Sequence, residues 1–250
     1  MKTSNYLGIM FRPSSKKDIL EKIFIHRGQK SDFIHVVSLN PENMVIAQHD
    51  REYRNILSQS DLQIVDGIGT ALGSRLLGFS STDRITGVDL MEEVIKSSAK
   101  TGLRILLLGG KPNLAEHLAN CYKQKYPHLS IKGKMGFKDI LALKKDEEKK
   151  VLAIVADYRP QIIFAAFGSP TQEKWFYANR KHLFGSIGIG VGGAFDFLAG
   201  ETPRAPQALR SFGFEWLYRL IVEPWRFKRQ LRLITFIYLV CKQKFGLLHT

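Results

Sequence analysis

Cysteine, long apolar runs and the signatures of the common nucleotide and metal enzymes are what this sequence has least of. Two of its 250 residues are cysteine, Cys121 and Cys241. They stand far apart and outside any Cys-x-x-Cys spacing, which excludes a disulfide framework, gives no zinc pattern and points to a reducing compartment. The longest uncharged apolar run, Leu233 to Cys241, is about half of what a membrane-spanning helix needs. Residues 1–11 hold a single lysine and no apolar run of signal-peptide length, so export is not expected. A P-loop is missing, because Lys111 of Gly109-Gly110-Lys111 is followed by Pro112. There is no Gly-x-Ser-x-Gly, no His-Glu-x-x-His and no Asp-x-Asp pair, and the seven histidines are scattered. No metal and no other cofactor is therefore expected, and the chemistry falls to carboxylates, arginines and backbone donors. Acidic residues are also scarce, 23 against 37 Lys and Arg, for a net charge of +14. Such an excess needs an anionic partner: nucleic acid, anionic lipid or a phosphorylated ligand.

What is present is enough apolar residue for a full core, 44% of the chain, in one large domain or one domain with an appendage. Short runs of Ile, Leu, Val and Phe alternate with longer stretches of helical composition, the pattern of an α/β fold with a largely parallel sheet flanked by helices. Strands are predicted near Phe33–Ser38, Leu62–Val65, Arg104–Leu108, Ile162–Phe167 and Ser186–Val191, with helices between them. Most run straight into glycine: Asp66-Gly67 after the second, Gly109-Gly110 after the third, Gly168 after the fourth, Gly192-Gly193 after the fifth. In a parallel sheet these turns line up along the carboxyl edge, where open α/β proteins bind ligands and where glycine lets a phosphate approach backbone N–H groups. Each glycine is equally able to serve only as a tight turn.

The composition changes near Pro203. From there to Thr250 nine Lys and Arg face two glutamates, so half of the excess charge sits in less than a fifth of the chain. Trp, Phe, Tyr, Leu and Ile are interleaved with it. Pro224 suits the first turn of a new helix, on which Arg226, Arg229 and Arg232 form a basic stripe beside an apolar one. A basic amphipathic helix of this kind reads as a membrane-interface element, or as a core helix with a solvated charged face. The expected division is a core over 1–202 and an appendage over 203–250.

Among the carboxylates Asp66 is the best placed, just past an apolar strand and before two glycines. Partial burial there would raise its pKa and fit it to accept a proton from an attacking hydroxyl; capping the next helix is the alternative. Arg84 is able to pair with a phosphate or a carboxylate, Gln172 to donate to a sugar or phosphate, and Ser38 and Asn40 stand at a strand end as ligand contacts or helix caps.

Taken together and in order, Ser38-Leu39-Asn40-Pro41, Asp66-Gly67-Ile68-Gly69, Arg84-Ile85-Thr86-Gly87-Val88-Asp89, Leu108-Gly109-Gly110-Lys111-Pro112, Gly168-Ser169-Pro170-Thr171-Gln172-Glu173, Gly190-Val191-Gly192-Gly193, Arg204-Ala205-Pro206 and Glu215-Trp216-Leu217-Tyr218-Arg219 resemble the WecG/TagA/CpsF glycosyltransferases. The likeness runs from about residue 6 to about residue 235. It implies a Rossmann-like core and an inverting, metal-independent transfer of a hexose from a UDP-sugar to a polyprenyl-diphosphate-linked sugar in cell-surface polysaccharide synthesis. N-acetylmannosamine or its uronic acid is the favoured sugar and glucose the alternative. The resemblance makes Asp66 the general base and carries substrate contacts onto Ser38, Asn40, Arg84, Gln172, Arg219, Arg226 and Arg229. It implies an enzyme peripheral to the cytoplasmic face of an anionic membrane. A basic RNA-modifying protein is the competing reading, but basicity beside a Trp/Phe/Leu stripe suits lipid better than nucleic acid. Homo-oligomerisation stays open, because an apolar appendage is also able to dock on a neighbouring subunit.

Overall fold

The computed structural model describes residues 4–25, 32–79, 84–137, 144–224 and 227–247, apart from the side chains of 228 and 229. A short antiparallel hairpin, β1 (Ser4–Tyr6) and β2 (Ile9–Phe11), precedes α1 (Lys16–Ile25), β3 (Ile34–Leu39), α2 (Pro41–His49), α3 (Arg51–Gln59) and β4 (Leu62–Val65). Then come α4 (Ile68–Leu76), α5 (Gly87–Thr101), β5 (Ile105–Gly109), α6 (Leu114–Lys125), β6 (Ile131–Lys134), α7 (Lys145–Tyr158), β7 (Ile162–Ala166), α8 (Thr171–Asn179) and β8 (Ile187–Gly190). The chain closes with α9 (Ala194–Leu198), α10 (Gln207–Ser211), α11 (Glu215–Val222) and α12 (Phe227–Lys244). Strands β3 to β8 form one parallel sheet in the order β4-β3-β8-β7-β5-β6.

All five predicted strands are present, within a residue or two of their expected ends. Every position of β3, β4, β5 and β8 is buried, as a parallel sheet covered on both faces requires. Strand β6 and the hairpin were not predicted. The reason is local: β6 reads Ile-Lys-Gly-Lys with alternate residues exposed, an edge strand with little apolar content, and each hairpin strand is three residues long.

Side-chain alternation sorts the strands onto two layers. Ile34 and Val36, Leu62 and Ile64, Ile105 and Leu107, Ile162 and Phe164, and Ile187 and Ile189 face α1, α5, α6 and α9 in one continuous core. The opposite face is split in two. Val37, Leu39 and Val65 pack with the hairpin, α2, α3 and α12, and Leu106, Leu108, Ile163 and Ala165 pack with α7 and α8. Between these clusters β8 offers only Gly188 and Gly190 to that face. A Cβ on Gly188 would lie 2.8 Å from the Phe176 ring and one on Gly190 would lie 2.4 Å from the Gln172 amide, so the two glycines let α8 settle directly on the sheet.

The connection after β3 goes to the split face and the one after β8 to the continuous face. The two adjacent strands thus part at a topological switch point, where open parallel sheets form ligand crevices outside the strands' carboxyl ends.

The composition break at Pro203 is not a break in packing. Phe236 and Val240 of α12 are 2% and 3% exposed and belong to the core that holds Leu39 and Val65. Gln243 accepts from Leu7 N–H at 2.9 Å and donates to Asn5 C=O at 2.6 Å, and Arg232 pairs with Glu42. Helix α12 therefore clasps the hairpin, α2 and α4. Among the described residues no helix is long and apolar enough to cross a membrane.

Candidate active site

A cleft of about 560 Å³ opens at the switch point, lined by the turns after β3, β4 and β8 and by α4, α11 and α12. Asp66 lies at its inner end. Its own N–H donates to Leu39 C=O at 2.9 Å, which ties the turn to the neighbouring strand. The next residue, Gly67, has φ +88°, a left-handed conformation that glycine adopts without strain. Past residue 83 the chain returns beside β4, with Ile85 N–H donating to Val65 C=O at 2.9 Å. This return delivers Arg84 and the start of α5 to Asp66. Thr86 caps α5 by accepting from Asp89 N–H at 3.1 Å, and its hydroxyl donates to the Asp89 carboxylate at 2.7 Å.

Burial pushes the Asp66 carboxyl up to about 6, helped by the negative charge of Glu215; the Gly87 N–H that it accepts and the Arg84 guanidinium pull the other way. Since the turn still opens onto the cleft, this carboxylate is both accessible and more basic than a free aspartate. It is ionised at neutral pH and able to take a proton from a bound hydroxyl.

A charge network fixes the opposite wall. Arg204 joins Asp89 at 2.6 Å and Glu215 at 3.3 Å, and it is largely buried. Arg84 donates to Arg210 C=O at 2.6 Å. The start of the C-terminal segment is thereby pinned to the N-terminus of α5, and Glu215, Trp216 and Arg219 of α11 reach the cleft. Arg219 lies over the Phe197 ring at 4.5 Å and bonds Glu223 at 2.8 Å. It also crosses Gly193 so closely that a Cβ there would lie 2.7 Å from its Nη2.

The structure brings Asp66, Asn40, Arg84, Gly193 and Arg219 together around this cleft. Asn40 also caps α2, accepting from Asn43 N–H at 2.8 Å. Six other predicted residues, Ser38, Gln172, Gly109, Gly110, Gly168 and Gly192, lie outside its lining. Ser38 is buried on the α5 face of β3, opposite Ile64 in register. Gln172 is 2% exposed and its amide is committed: it donates to Glu173 at 2.8 Å and to Ser169 at 3.3 Å, and accepts from Gly192 N–H at 3.3 Å. Gly109 and Gly110 turn β5 into α6 against Phe167, Leu114 and Phe195. At Gly168 a Cβ would meet open space, along the same sheet edge. Arg226 and the side chain of Arg229 lie outside the described residues. Glu215, Thr86 and Gly87 are site residues that were not singled out. Glu215 is 149 positions from Asp66 and carried no local signal, whereas Thr86-Gly87 before an apolar run is a legible helix start. Among the described residues no group of three or more His, Cys, Asp or Glu is placed to hold a metal ion.

The sequence matches the profile of the glycosyl transferase WecG/TagA/CpsF family over residues 4–250. An N-acetylglucosaminyldiphosphoundecaprenol N-acetyl-beta-D-mannosaminyltransferase of Bacillus subtilis is 34% identical over 228 residues, 91% of this chain and 85% of the relative. A protein of the same name from Staphylococcus aureus is 27% identical over 95% of this chain and 92% of its own length. With the family profile spanning nearly the whole chain, this protein belongs to the WecG/TagA/CpsF family and is a glycosyltransferase.

Proposed function

We propose that the enzyme transfers an N-acetylmannosamine-type hexose from a UDP-sugar to a polyprenyl-diphosphate-linked N-acetylglucosamine, with inversion and without a metal, at the inner face of an anionic membrane in cell-surface polysaccharide synthesis. The acceptor class and the sugar rest on the names of the two relatives. The observation that carries the chemistry is Asp66, a carboxylate raised to about 6 at the inner end of a cleft that also holds two arginines. Asp66 takes the proton of the acceptor hydroxyl as its oxygen bonds to the anomeric carbon, and the bond from that carbon to the diphosphate breaks on the far side. UDP leaves with the electron pair. Arg84 and Arg219 supply the positive charge for the diphosphate groups, a task that cations perform in other transferases.

Membrane residence is supported by the exposed apolar residues of the C-terminal segment, among them Phe212, Phe214, Ile221, Ile234 and Tyr238, set in a chain of net charge +14. Apolar burial and attraction to anionic headgroups add in such a surface. A screen of UDP-sugars against a short-chain prenyl-diphosphate-N-acetylglucosamine, read by mass spectrometry with and without EDTA, tests the proposal. UDP-N-acetylmannosamine is expected to give product in EDTA, with the opposite anomeric configuration to the donor. A strict requirement for added Mg²⁺ or Mn²⁺, retention of configuration, or preference for a glucose donor overturns the corresponding part.

A further inference from the structure

The cleft has two chemically different ends. Asp66, Arg84, Thr86, Glu215 and Arg219 surround the inner one. From there the same cavity runs outward between α4 and α12, where its walls turn apolar: Leu72 and Leu76 on one side, Leu233, Ile237 and Cys241 on the other. The spacing explains the groove. Gly69 and Gly73, one helical turn apart on α4, face Pro41 and Tyr6 with α12 packed beside them: a Cβ at Gly69 would lie 2.9 Å from Pro41 and 3.4 Å from Leu233, and one at Gly73 would lie 2.2 Å from the Tyr6 hydroxyl and 3.3 Å from Phe236 and Val240. The two helices thus run side by side in the same direction. The next row of each, Leu72 and Leu76 against Ile237 and Cys241, is left facing across the seam. Leu72, Leu76 and Ile237 are 55%, 48% and 54% exposed, so the trough is open to solvent along its length.

We propose that this groove is the binding site for the first isoprene units of the acceptor's polyprenyl tail. The inference rests on the acceptor class proposed above and adds where its lipid lies. Continuity selects the occupant: a diphosphate held near Arg84 and Arg219 must send its chain out of the cleft, and the groove is the apolar exit of that same cavity. Helix rise carries α4 about 12 Å from Ile68 to Leu76, room for two to three isoprene units of roughly 5 Å each. A prenyl chain in the trough covers side chains that a soluble protein leaves exposed only at cost, and it fixes the sugar's distance from Asp66 before the rest of the tail enters the bilayer.

The test compares water-soluble acceptors carrying one to five isoprene units, without membranes, using the full chain. The acceptor KM is expected to fall roughly tenfold for each of the first two or three units, as a half-buried five-carbon unit implies, and then to level off. In the double variant Leu72→Ser, Ile237→Ser this dependence should flatten. Ile234→Ser, at a residue 67% exposed and outside the groove, should weaken liposome flotation and leave the length dependence intact. A KM independent of chain length, or a length dependence that survives in the double variant, overturns the proposal and assigns these side chains to the bilayer. A second arm needs no turnover. With Cys121→Ser, the remaining thiol Cys241 reports on the groove: farnesyl diphosphate should slow its maleimide labelling and inorganic diphosphate should not. Protection by farnesyl diphosphate in an enzyme that transfers to no prenyl acceptor would keep the groove and remove the acceptor assignment. Equal labelling with and without farnesyl diphosphate overturns the groove.

Discussion

Two turns of this sheet carry a carboxylate in nearly the same setting, and only one of them opens onto the cleft. Asp66 follows β4 and Glu173 stands in the first turn of α8 after β7; burial raises the pKa of both. At Asp66 the turn opens on the cleft, and the bond from Gly87 N–H leaves a carboxylate that a substrate is able to reach. Glu173 is 0% exposed and accepts from Ser169 at 2.9 Å and from Gln172 at 2.8 Å, packed against Gly190, where a Cβ would lie 2.9 Å from its Oε1. Its partner Gln172 holds Gly192 N–H, so this turn braces the one after β8, whose Val191 and Gly193 line the cleft. A raised carboxyl marks chemistry only where substrate is able to meet it.

Substitution separates the two turns most widely. Asp66→Asn is expected to cut turnover about 10²–10⁴-fold, the usual worth of a general base, whereas Glu173→Gln, which keeps an acceptor for Ser169 and Gln172, should stay within about threefold of the parent. Steady-state rates at saturating substrate decide it, and an equal loss in both variants would break the comparison. The pH profile is next. With Asp66 as the proposed base its ionised form is the active one, so kcat/KM should fall about tenfold per pH unit below about 6 and level above it. Glu173→Gln should keep that acid limb, and its disappearance there would move the titrating base to Glu173.

Stability gives the smaller effects. Gly190→Ala places a Cβ 2.4 Å from the Gln172 amide and is expected to cost about 1–3 kcal/mol by overpacking, seen as a lower denaturation midpoint. Asp66→Asn should do the opposite. The folded pKa lies above the ordinary 3.8, so the folded state holds the proton more tightly, and the carboxyl's contribution to stability is present below about 3.8 and lost as pH rises through about 6. The variant should therefore exceed the parent by roughly 1–2 kcal/mol at pH 8, after allowing for the solvent of the cleft, and match it near pH 3.5. Differential scanning calorimetry at the two pH values measures this, and a variant less stable than the parent at pH 8 would contradict the raised pKa.

Much of the fold was legible because a parallel sheet covered on both faces writes itself as uninterrupted apolar runs. The five predicted strands have that signature and β6 lacks it. Asp66 was legible for the same reason, since a carboxylate between an apolar strand and a glycine has few places to be. Gln172 was not: the residues that fix its amide, Glu173, Ser169 and Gly192, include one twenty positions away, and only their meeting decides that it faces inward. Gly69 and Gly73, one helical turn apart, are plain in the sequence, but nothing local says that they receive Pro41 and Tyr6, or that α12, more than 150 residues later, packs beside them. Removing residues 203–250 accordingly strips Phe236 and Val240 from the core as well as the basic segment.

The sequence alone determined the layer architecture, the strand ends that line the cleft, the placing of a carboxylate at Asp66 among them and the concentration of positive and aromatic residues after Pro203, because each is a property of neighbouring residues. The tertiary structure decided which of the glycine turns share a cleft, that Glu215 and Arg219 close it, and that α4 and α12 leave an apolar trough leading out of it. These depend on strand order and helix packing, which bring together side chains that no local pattern relates.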